Sequence, residues 1–481
     1  MKKTISRTIA AILICAGIAV LISTLLANFV LKKSVSAEEA EFNLKLAALR
    51  PDDNTYVDYA NDVKFDLSKD PELVEQGLFW ITFDENGKIV KTKADTEQAR
   101  GVVDPNKPTL ILIHGMQAGH GQIYREDYYI KHYHLDWNDF GVDTSVNTNI
   151  PAYFNMSYVW MNQGWNIGYY HCEKFMAVPE YWSLEQKMWT WVESKTDEDG
   201  NPNMGYETSY INLEGKEVKS PIKYGISEHF VAEYIRAMNM LPESMGEKEI
   251  RIAAHSMGGQ VAAPALFLLY ELARDEIGQI PKRCLPDRYA LMDTFFSAYA
   301  KNNSTGEWLN LLSDNTIAPF NIGWTGKPFI GNSTGRTIAF ILEYLDKAGM
   351  ALEYYTEPAS FLYGALPNDI LDAIHKHCSV VIINPDWAEA QPSYTKMTDA
   401  HNGVREWYMC SLTTTPPTVL DDGSTVPNAS MSCEDIRGNH GRFFYQIEGT
   451  KDTITTNDVF ELRDKHYAQL ALEAEANSET E

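Results

Sequence analysis

One stretch, residues 249–269, constrains the fold more than any other part of the chain. It begins with the β-prone run 250–254, passes through a His-Ser-Met-Gly-Gly turn, and continues into apolar residues at helical spacing. This order predicts a buried strand, a sharp turn at Ser256 and a helix. Strand and helix backbones nearly touch at such a turn, so the residues two before and two after the serine must be very small. Ala254 and Gly258 meet that requirement, and the stretch therefore predicts a nucleophile elbow with Ser256 as nucleophile.

Short β-prone runs and helical stretches alternate along most of the remaining chain. An Asn-Gly turn between residues 78–83 and 88–91 predicts an antiparallel hairpin. The later strand-like runs are residues 109–113, 166–170, 250–254, 289–292 and 380–383. Alternation of this kind is typical of an α/β protein with a mainly parallel, doubly wound sheet. Segments 117–151, 173–224 and 294–369 interrupt the alternation, and we interpret them as long insertions.

The N-terminus carries a membrane-targeting segment. Lys2, Lys3 and Arg7 precede an uncharged run over residues 9–31, which is long enough to span about 30 Å of hydrocarbon as a helix. This length favours a retained anchor, whereas the small residues ending at Ala37 would suit cleavage by signal peptidase. We therefore predict a membrane anchor or signal peptide over residues 1–37, a spacer over 38–75 and one exported, extracellular catalytic domain over 76–481.

Charge and composition exclude several classes of partner. The chain has 66 acidic and 41 basic side chains and a formal net charge of −25, which repels nucleic-acid phosphate. Five of the six cysteines follow the apolar segment, and their pairing stays open. The His-Lys-His-Cys run at 375–378 is a weak metal-ligand pattern, so we expect neither a metal nor a cofactor.

Acyl transfer by a serine also requires donors for the oxyanion and a histidine base. The N–H of Met257 lies at the start of the predicted helix, where the helix dipole favours negative charge. The strand at 109–113 ends in His-Gly, and the chain must then turn over the elbow and present the N–H of Met116. The order Ser…Asp…His leaves three candidate bases, His401, His440 and His466.

Five local motifs occur in a fixed order between residues 108 and 412. They are His114-Gly115-Met116, Ala254-His255-Ser256-Met257-Gly258-Gly259, Leu291-Met292-Asp293-Thr294, the run from Val380 to Asp386, and the run from His401 to Ser411. Together they resemble the lipase branch of the α/β hydrolases, most closely the pancreatic and lipoprotein lipase family. The resemblance implies an α/β-hydrolase fold that cleaves acyl esters or lipids without a cofactor. It also implies Ser256 as nucleophile, His401 as base, and oxyanion donors at Met116 and Met257.

The acid and the substrate stay open at the level of sequence. The usual place for the acid in this fold is after the seventh strand, for which the sequence offers Asp386, whereas the resemblance favours Asp293 after the sixth. Two other functions are compatible with the motifs. One is a non-catalytic α/β-hydrolase domain that serves as a binding module, and the other is a peptidase or acyltransferase of the same fold, because a triad sets mechanism rather than substrate.

Overall fold

A computed structural model describes residues 37–51, 56–65, 68, 70–85, 89–115, 139–140, 154–177, 181–189, 209–212, 216–219, 224–294, 300–301, 308–309, 322–357, 366–385, 401, 404–405, 407–409, 411–412 and 426–448. The chain divides into two units, Met1–Leu49 and Arg50–Glu481. The predicted apolar segment at 9–31 lies outside the described residues. None of the described helices is both long enough and apolar enough to cross a bilayer.

The first unit contributes one described helix, α1, and the second unit contributes the rest. The helices are α1 (Ala37–Leu49), α2 (Tyr59–Asp62), α3 (Met156–Asn162), α4 (Glu173–Met176), α5 (Tyr181–Trp189), α6 (Ile226–Met240), α7 (Gly258–Leu272), α8 (Thr334–Lys347), α9 (Asn368–His377) and α10 (Cys433–Gly438). Four 3₁₀ turns span Pro71–Leu73, Glu97–Gly101, Lys282–Cys284 and Ile330–Asn332. The second unit begins at Arg50 and so includes the later part of the segment that the sequence predicts to be a spacer.

Nine strands form the central sheet of the second unit. They are β1 (Gly77–Phe83), β2 (Ile89–Lys93), β3 (Thr109–Ile113), β4 (Asn166–His171), β5 (Ile250–His255), β6 (Arg288–Met292), β7 (Ala351–Thr356), β8 (Ser379–Pro385) and β9 (Phe443–Glu448). Their order across the sheet is β9-β8-β7-β6-β5-β3-β4-β1-β2. Three two-stranded pairs lie outside this sheet, namely Asp139–Phe140 with Phe154–Asn155, Ser209–Ile211 with Glu217–Lys219, and Ala300–Lys301 with Trp308–Leu309.

The sheet is mainly parallel, as the alternation of strands and helices predicts. Neighbouring strands from β4 through β3 and β5 to β9 pair in parallel, whereas β1 pairs antiparallel with both β4 and β2. The predicted antiparallel hairpin is therefore present as β1 and β2, and its Asn-Gly turn lies outside the described residues. Parallel pairing brings the carboxyl ends of β3, β5, β6 and β7 to one edge of the sheet, which is where ligands bind in open α/β sheets. This is the α/β architecture with a mainly parallel sheet that the sequence predicts.

Helices and loop segments cover both faces of the sheet, so the central strands β3 to β7 are buried on both sides. On one face, Tyr170 of β4 donates to the carbonyl of Ile226 in α6, and Tyr289 of β6 donates to the carbonyl of Gly259 in α7. On the other face, a core of buried side chains joins the strands to α3 and to residues that follow His401. Its members include Leu110, Leu112, Ala253, Ala290, Val381, Trp160, Val404, Trp407 and Tyr408. Strands buried on both faces are typical of doubly wound proteins.

Two strands of the sheet, β7 and β9, were not predicted from the sequence. β7 lies inside the segment 294–369 that we interpret as an insertion, so this part of the interpretation is wrong. The following strand, β8, is consequently the eighth in chain order and not the seventh. The candidate acid at position 386 would therefore follow the eighth strand, and it lies outside the described residues.

A buried network of charged side chains links the sheet to the segment that follows His401. Arg288 of β6 makes a two-pronged contact with Glu353 of β7, through hydrogen bonds of 2.8 and 2.6 Å. Tyr408 donates to Glu353 at 2.8 Å and accepts from Arg251 of β5 at 3.0 Å. These side chains are fully buried, and buried charges are stable only when each is paired. The network therefore fixes Tyr408 against three central strands.

The carboxyl of Glu228 makes the stability of the domain depend on pH. Glu228 lies in the first turn of α6, is fully buried, and accepts a hydrogen bond of 3.0 Å from the hydroxyl of Tyr59. Burial raises the pKa of Glu228 to about 8 from a usual value of 4.5. A raised pKa means that the folded state binds the proton more tightly. This contribution to stability is complete below pH 4.5 and is lost as the pH rises to about 8.

We expect Glu228→Gln to be more stable than the parent protein at pH 9 and to differ little from it at pH 4.5. The difference at pH 9 should be about 3–5 kcal/mol, because one pKa unit corresponds to about 1.4 kcal/mol. Urea denaturation at the two pH values measures it. The exposed Glu247 provides the control, since the same substitution at a solvent-exposed position should give no comparable gain in stability at pH 9. Equal stability of Glu228→Gln and the parent at pH 9 would contradict the assignment.

Candidate active site

Ser256 lies between the end of β5 and the start of α7, in a strained backbone conformation. Its φ is 55°, and Asp293, which follows β6, has a φ of 41°. Among the residues that the structure describes, these are the two non-glycine residues with positive φ. Such a conformation costs about 1–3 kcal/mol per residue and is concentrated at functional sites. The Ser256 N–H donates to the carbonyl of Met292 at 2.9 Å, which ties the elbow to the end of β6.

Two glycines allow the backbone to pack against the elbow. A Cβ on Gly115 would lie 2.6 Å from the Cβ of Ser256, so any side chain there would collide with the serine. A Cβ on Gly258 would lie 2.6 Å from the carbonyl oxygen of Ile113, at the end of β3. The small residue required after the serine is therefore in place, and the end of β3 lies directly beside Ser256.

His401 and Asp293 form a hydrogen-bonded pair at the same edge of the sheet. The distance from His401 Nδ1 to Asp293 Oδ2 is 2.5 Å. The other carboxylate oxygen of Asp293 accepts from Thr356 Oγ1 at 2.8 Å, and the Asp293 N–H donates to the carbonyl of Tyr355 at 2.7 Å. Asp293 is only 1% exposed, whereas the side chain of His401 is 22% exposed. The carboxylate is thus held rigidly by β7 and directed at an imidazole that solvent can reach.

The His401–Asp293 pair is arranged so that His401 can accept a proton. A carboxylate that accepts from Nδ1 selects the tautomer in which Nε2 is unprotonated, so that Nε2 can accept a proton from a hydroxyl group. Within the described part of the chain no hydrogen bond joins Ser256 Oγ to His401. Contacts of this kind are often long in a ligand-free site and shorten when substrate binds.

One of the two predicted oxyanion donors is described. Met257 is the residue before the first turn of α7, and the first N–H groups of a helix have no acceptor within the helix. This position suits stabilisation of a developing negative charge beside Ser256. Met116 lies outside the described residues. Its neighbour Gly115 contacts Ser256, and His114 Nδ1 bonds to the Gly115 carbonyl at 2.7 Å.

The structure places His440, another candidate base, away from this site. The nitrogens of His440 are both engaged elsewhere, since Nδ1 pairs with Asp346 at 2.8 Å and Nε2 accepts from the N–H of Leu352 at 2.9 Å. Leu352 is four residues before Thr356 along β7, a distance of about 13 Å. His440 is therefore remote from the site. His466 and Asp386 lie outside the described residues, and no group of metal-binding side chains occurs among the residues described.

His255 contributes to the site in a way that the sequence did not reveal. Its position next to Ser256 predicts a structural residue, because neighbouring residues of an elbow point in opposite directions. Its ring nitrogen Nε2 lies 3.1 Å from the backbone carbonyl oxygen of His401, and the two imidazole rings have centroids 4.3 Å apart. His255 thus contacts the segment that carries the proposed base.

Comparison with known proteins adds little to this picture. No family model matches the chain, and no curated protein matches it. Among solved structures, the chain is similar to a sugar hydrolase, YeeB, from Lactococcus lactis, with 10% sequence identity and a TM-score of 0.22. The match covers 78% of this chain and 90% of that protein. A TM-score this low supports no conclusion about substrate.

Proposed function

We propose that this protein is a serine hydrolase that cleaves carboxylic esters through an acyl-enzyme. Ser256 Oγ attacks the ester carbonyl while His401 Nε2 takes the serine proton, and Asp293 stabilises the resulting imidazolium. The N–H groups of Met257 and Met116 stabilise the oxyanion of the tetrahedral intermediate. His401 then protonates the leaving alcohol, and water releases the acid by the same steps. The mechanism requires neither a metal nor a cofactor.

The pairing of His401 with Asp293 carries this proposal. The two residues are far apart in sequence, yet His401 Nδ1 lies 2.5 Å from a buried carboxylate at the end of the strand next to β5. Ser256 and Asp293 also share the strained backbone that is typical of reactive positions. An elbow serine, an oriented histidine and a buried acid at the carboxyl ends of parallel strands favour acyl transfer over a binding module.

An ester series tests the proposal. We expect the protein to hydrolyse p-nitrophenyl esters, and a series from short to long acyl chains, with and without detergent micelles, would separate an esterase from a lipase. Labelling by a fluorophosphonate without hydrolysis of any ester would favour the peptidase or acyltransferase. Absence of both labelling and hydrolysis would favour the non-catalytic binding module.

We further propose that the catalytic domain is exported and held at the membrane by residues 9–31. The length of this uncharged run supports the proposal. Most of the full-length protein should sediment with membranes and resist extraction by carbonate, whereas a variant that begins at Glu38 behind a cleavable signal should be released. Recovery of mature protein that starts at Glu38 from the medium of cells expressing the full chain would contradict retention.

A further inference from the structure

Strand β5 ends immediately before Ser256, and it also contacts two residues of the segment that begins at His401, namely His401 itself and Tyr408. Alternate residues of a strand point to the same face, so Arg251, Ala253 and His255 form one column on β5. At the carboxyl end of the column, His255 Nε2 lies 3.1 Å from the carbonyl oxygen of His401. At its other end, Arg251 Nη1 donates to the hydroxyl of Tyr408 at 3.0 Å.

The contact with His401 requires His255 to act as a donor. A carbonyl oxygen only accepts, so the proton of the neutral imidazole must reside on Nε2 of His255. Burial holds the pKa of His255 well below its usual value, and the neighbouring charges of His401 and Arg405 lower it further. His255 therefore remains a neutral donor and does not compete with His401 for the proton of the serine. A neutral ring also avoids repulsion when the neighbouring His401 becomes charged.

We propose that His255 is a positioning residue that fixes the backbone of His401. This inference rests on the proposed function, in which His401 is the base. Asp293 holds one nitrogen of the imidazole, and a single hydrogen bond leaves the ring able to swing about that bond. A second hydrogen bond, to the backbone carbonyl of His401, fixes the main chain from which the ring extends and so restricts this motion. Misplacement of a reacting group by about 1 Å can cost about 10²-fold in rate.

Two amide substitutions of different reach test this role. The amide nitrogen of glutamine can occupy nearly the position of Nε2, whereas that of asparagine is one methylene shorter and cannot reach the carbonyl. We expect His255→Asn to lower kcat for a p-nitrophenyl ester by about 10- to 100-fold with little change in KM. His255→Gln should recover most of this loss. Thermal melting of both variants shows whether either substitution changes the fold, and His255→Leu provides a second variant without a donor.

A double-mutant cycle distinguishes positioning from general damage to the elbow. If His255 acts through His401, adding His255→Asn to His401→Ala should not lower the residual rate further. An undiminished effect in the His401→Ala background would overturn the proposal, as would equal activity of the folded asparagine variant and the parent. Absence of hydrolysis and labelling in the parent would instead remove the proposed function itself.

Discussion

Replacing Ser256 by alanine is expected to abolish labelling by a fluorophosphonate probe and to lower kcat by about 10⁶-fold. The probe forms its covalent bond with the hydroxyl oxygen that the proposed mechanism uses as nucleophile. In a well-studied serine protease, loss of the nucleophile costs about this factor, because the three catalytic residues act as a unit. The remaining rate would come from substrate binding and the oxyanion donors. In-gel fluorescence and ester turnover measure the two effects.

A second buried serine serves as the control for this experiment. Ser227 in α6 is fully buried and donates to the carbonyl of Gln260 in α7. Ser227→Ala should therefore keep its labelling and turnover. Persistent labelling of Ser256→Ala would show that another residue is the nucleophile.

Replacing Asp293 by asparagine is expected to lower kcat by about 10⁴-fold while the protein stays folded. Asparagine has nearly the same shape and tolerates positive φ better than most residues, so Thr356 keeps an acceptor and the turn is preserved. With its carbonyl oxygen bonded to Thr356, the asparagine turns its NH₂ group toward His401. An NH₂ group cannot accept from Nδ1 as the carboxylate does, so the imidazole adopts the tautomer that carries its proton on Nε2. Steady-state kinetics and thermal melting separate the loss of turnover from unfolding.

Asp386, the other candidate for the acid, provides the control for this prediction. Asp386→Asn should retain near-normal turnover, because Asp293 is the carboxylate that contacts His401. The opposite pattern, with Asp386→Asn crippled and Asp293→Asn near normal, would contradict the assignment of the acid.

The sequence predicted the strands and turns whose pattern is dominated by apolar residues and glycine. The strand before Ser256, the strand before Gly115 and the antiparallel pairing of β1 with β2 are all present, because strand formation in these runs follows from local sequence patterns. The site residues Ser256, Asp293 and His401 were also predicted, although their catalytic roles stay predictions.

β7 was not predicted, because a charged residue lies in the middle of its pattern. Glu353 is fully buried in β7 and is paired with Arg288 of β6. A local pattern gives no sign of a partner 65 residues away, so the run was assigned to an insertion. The contact of His255 with the carbonyl of His401 depends in the same way on pairing across the fold. Arg288, directly before the β-prone run at 289–292, and Glu353, among leucine, tyrosine and threonine, were the available signals for the buried ion pair.

The positive φ angles of Ser256 and Asp293 also bear on how such a protein evolves. Glycine adopts this conformation without steric strain, so a glycine at position 256 would relieve about 1–2 kcal/mol of backbone strain while removing the proposed nucleophile. A glycine at position 293 would also leave Thr356 and His401 without their carboxylate partner, which offsets the relief. Selection for stability alone would thus favour glycine over serine at position 256. A descendant released from the need for turnover would gain stability by replacing Ser256 with glycine, and a lineage that needs the proposed activity would keep the serine at a cost in stability.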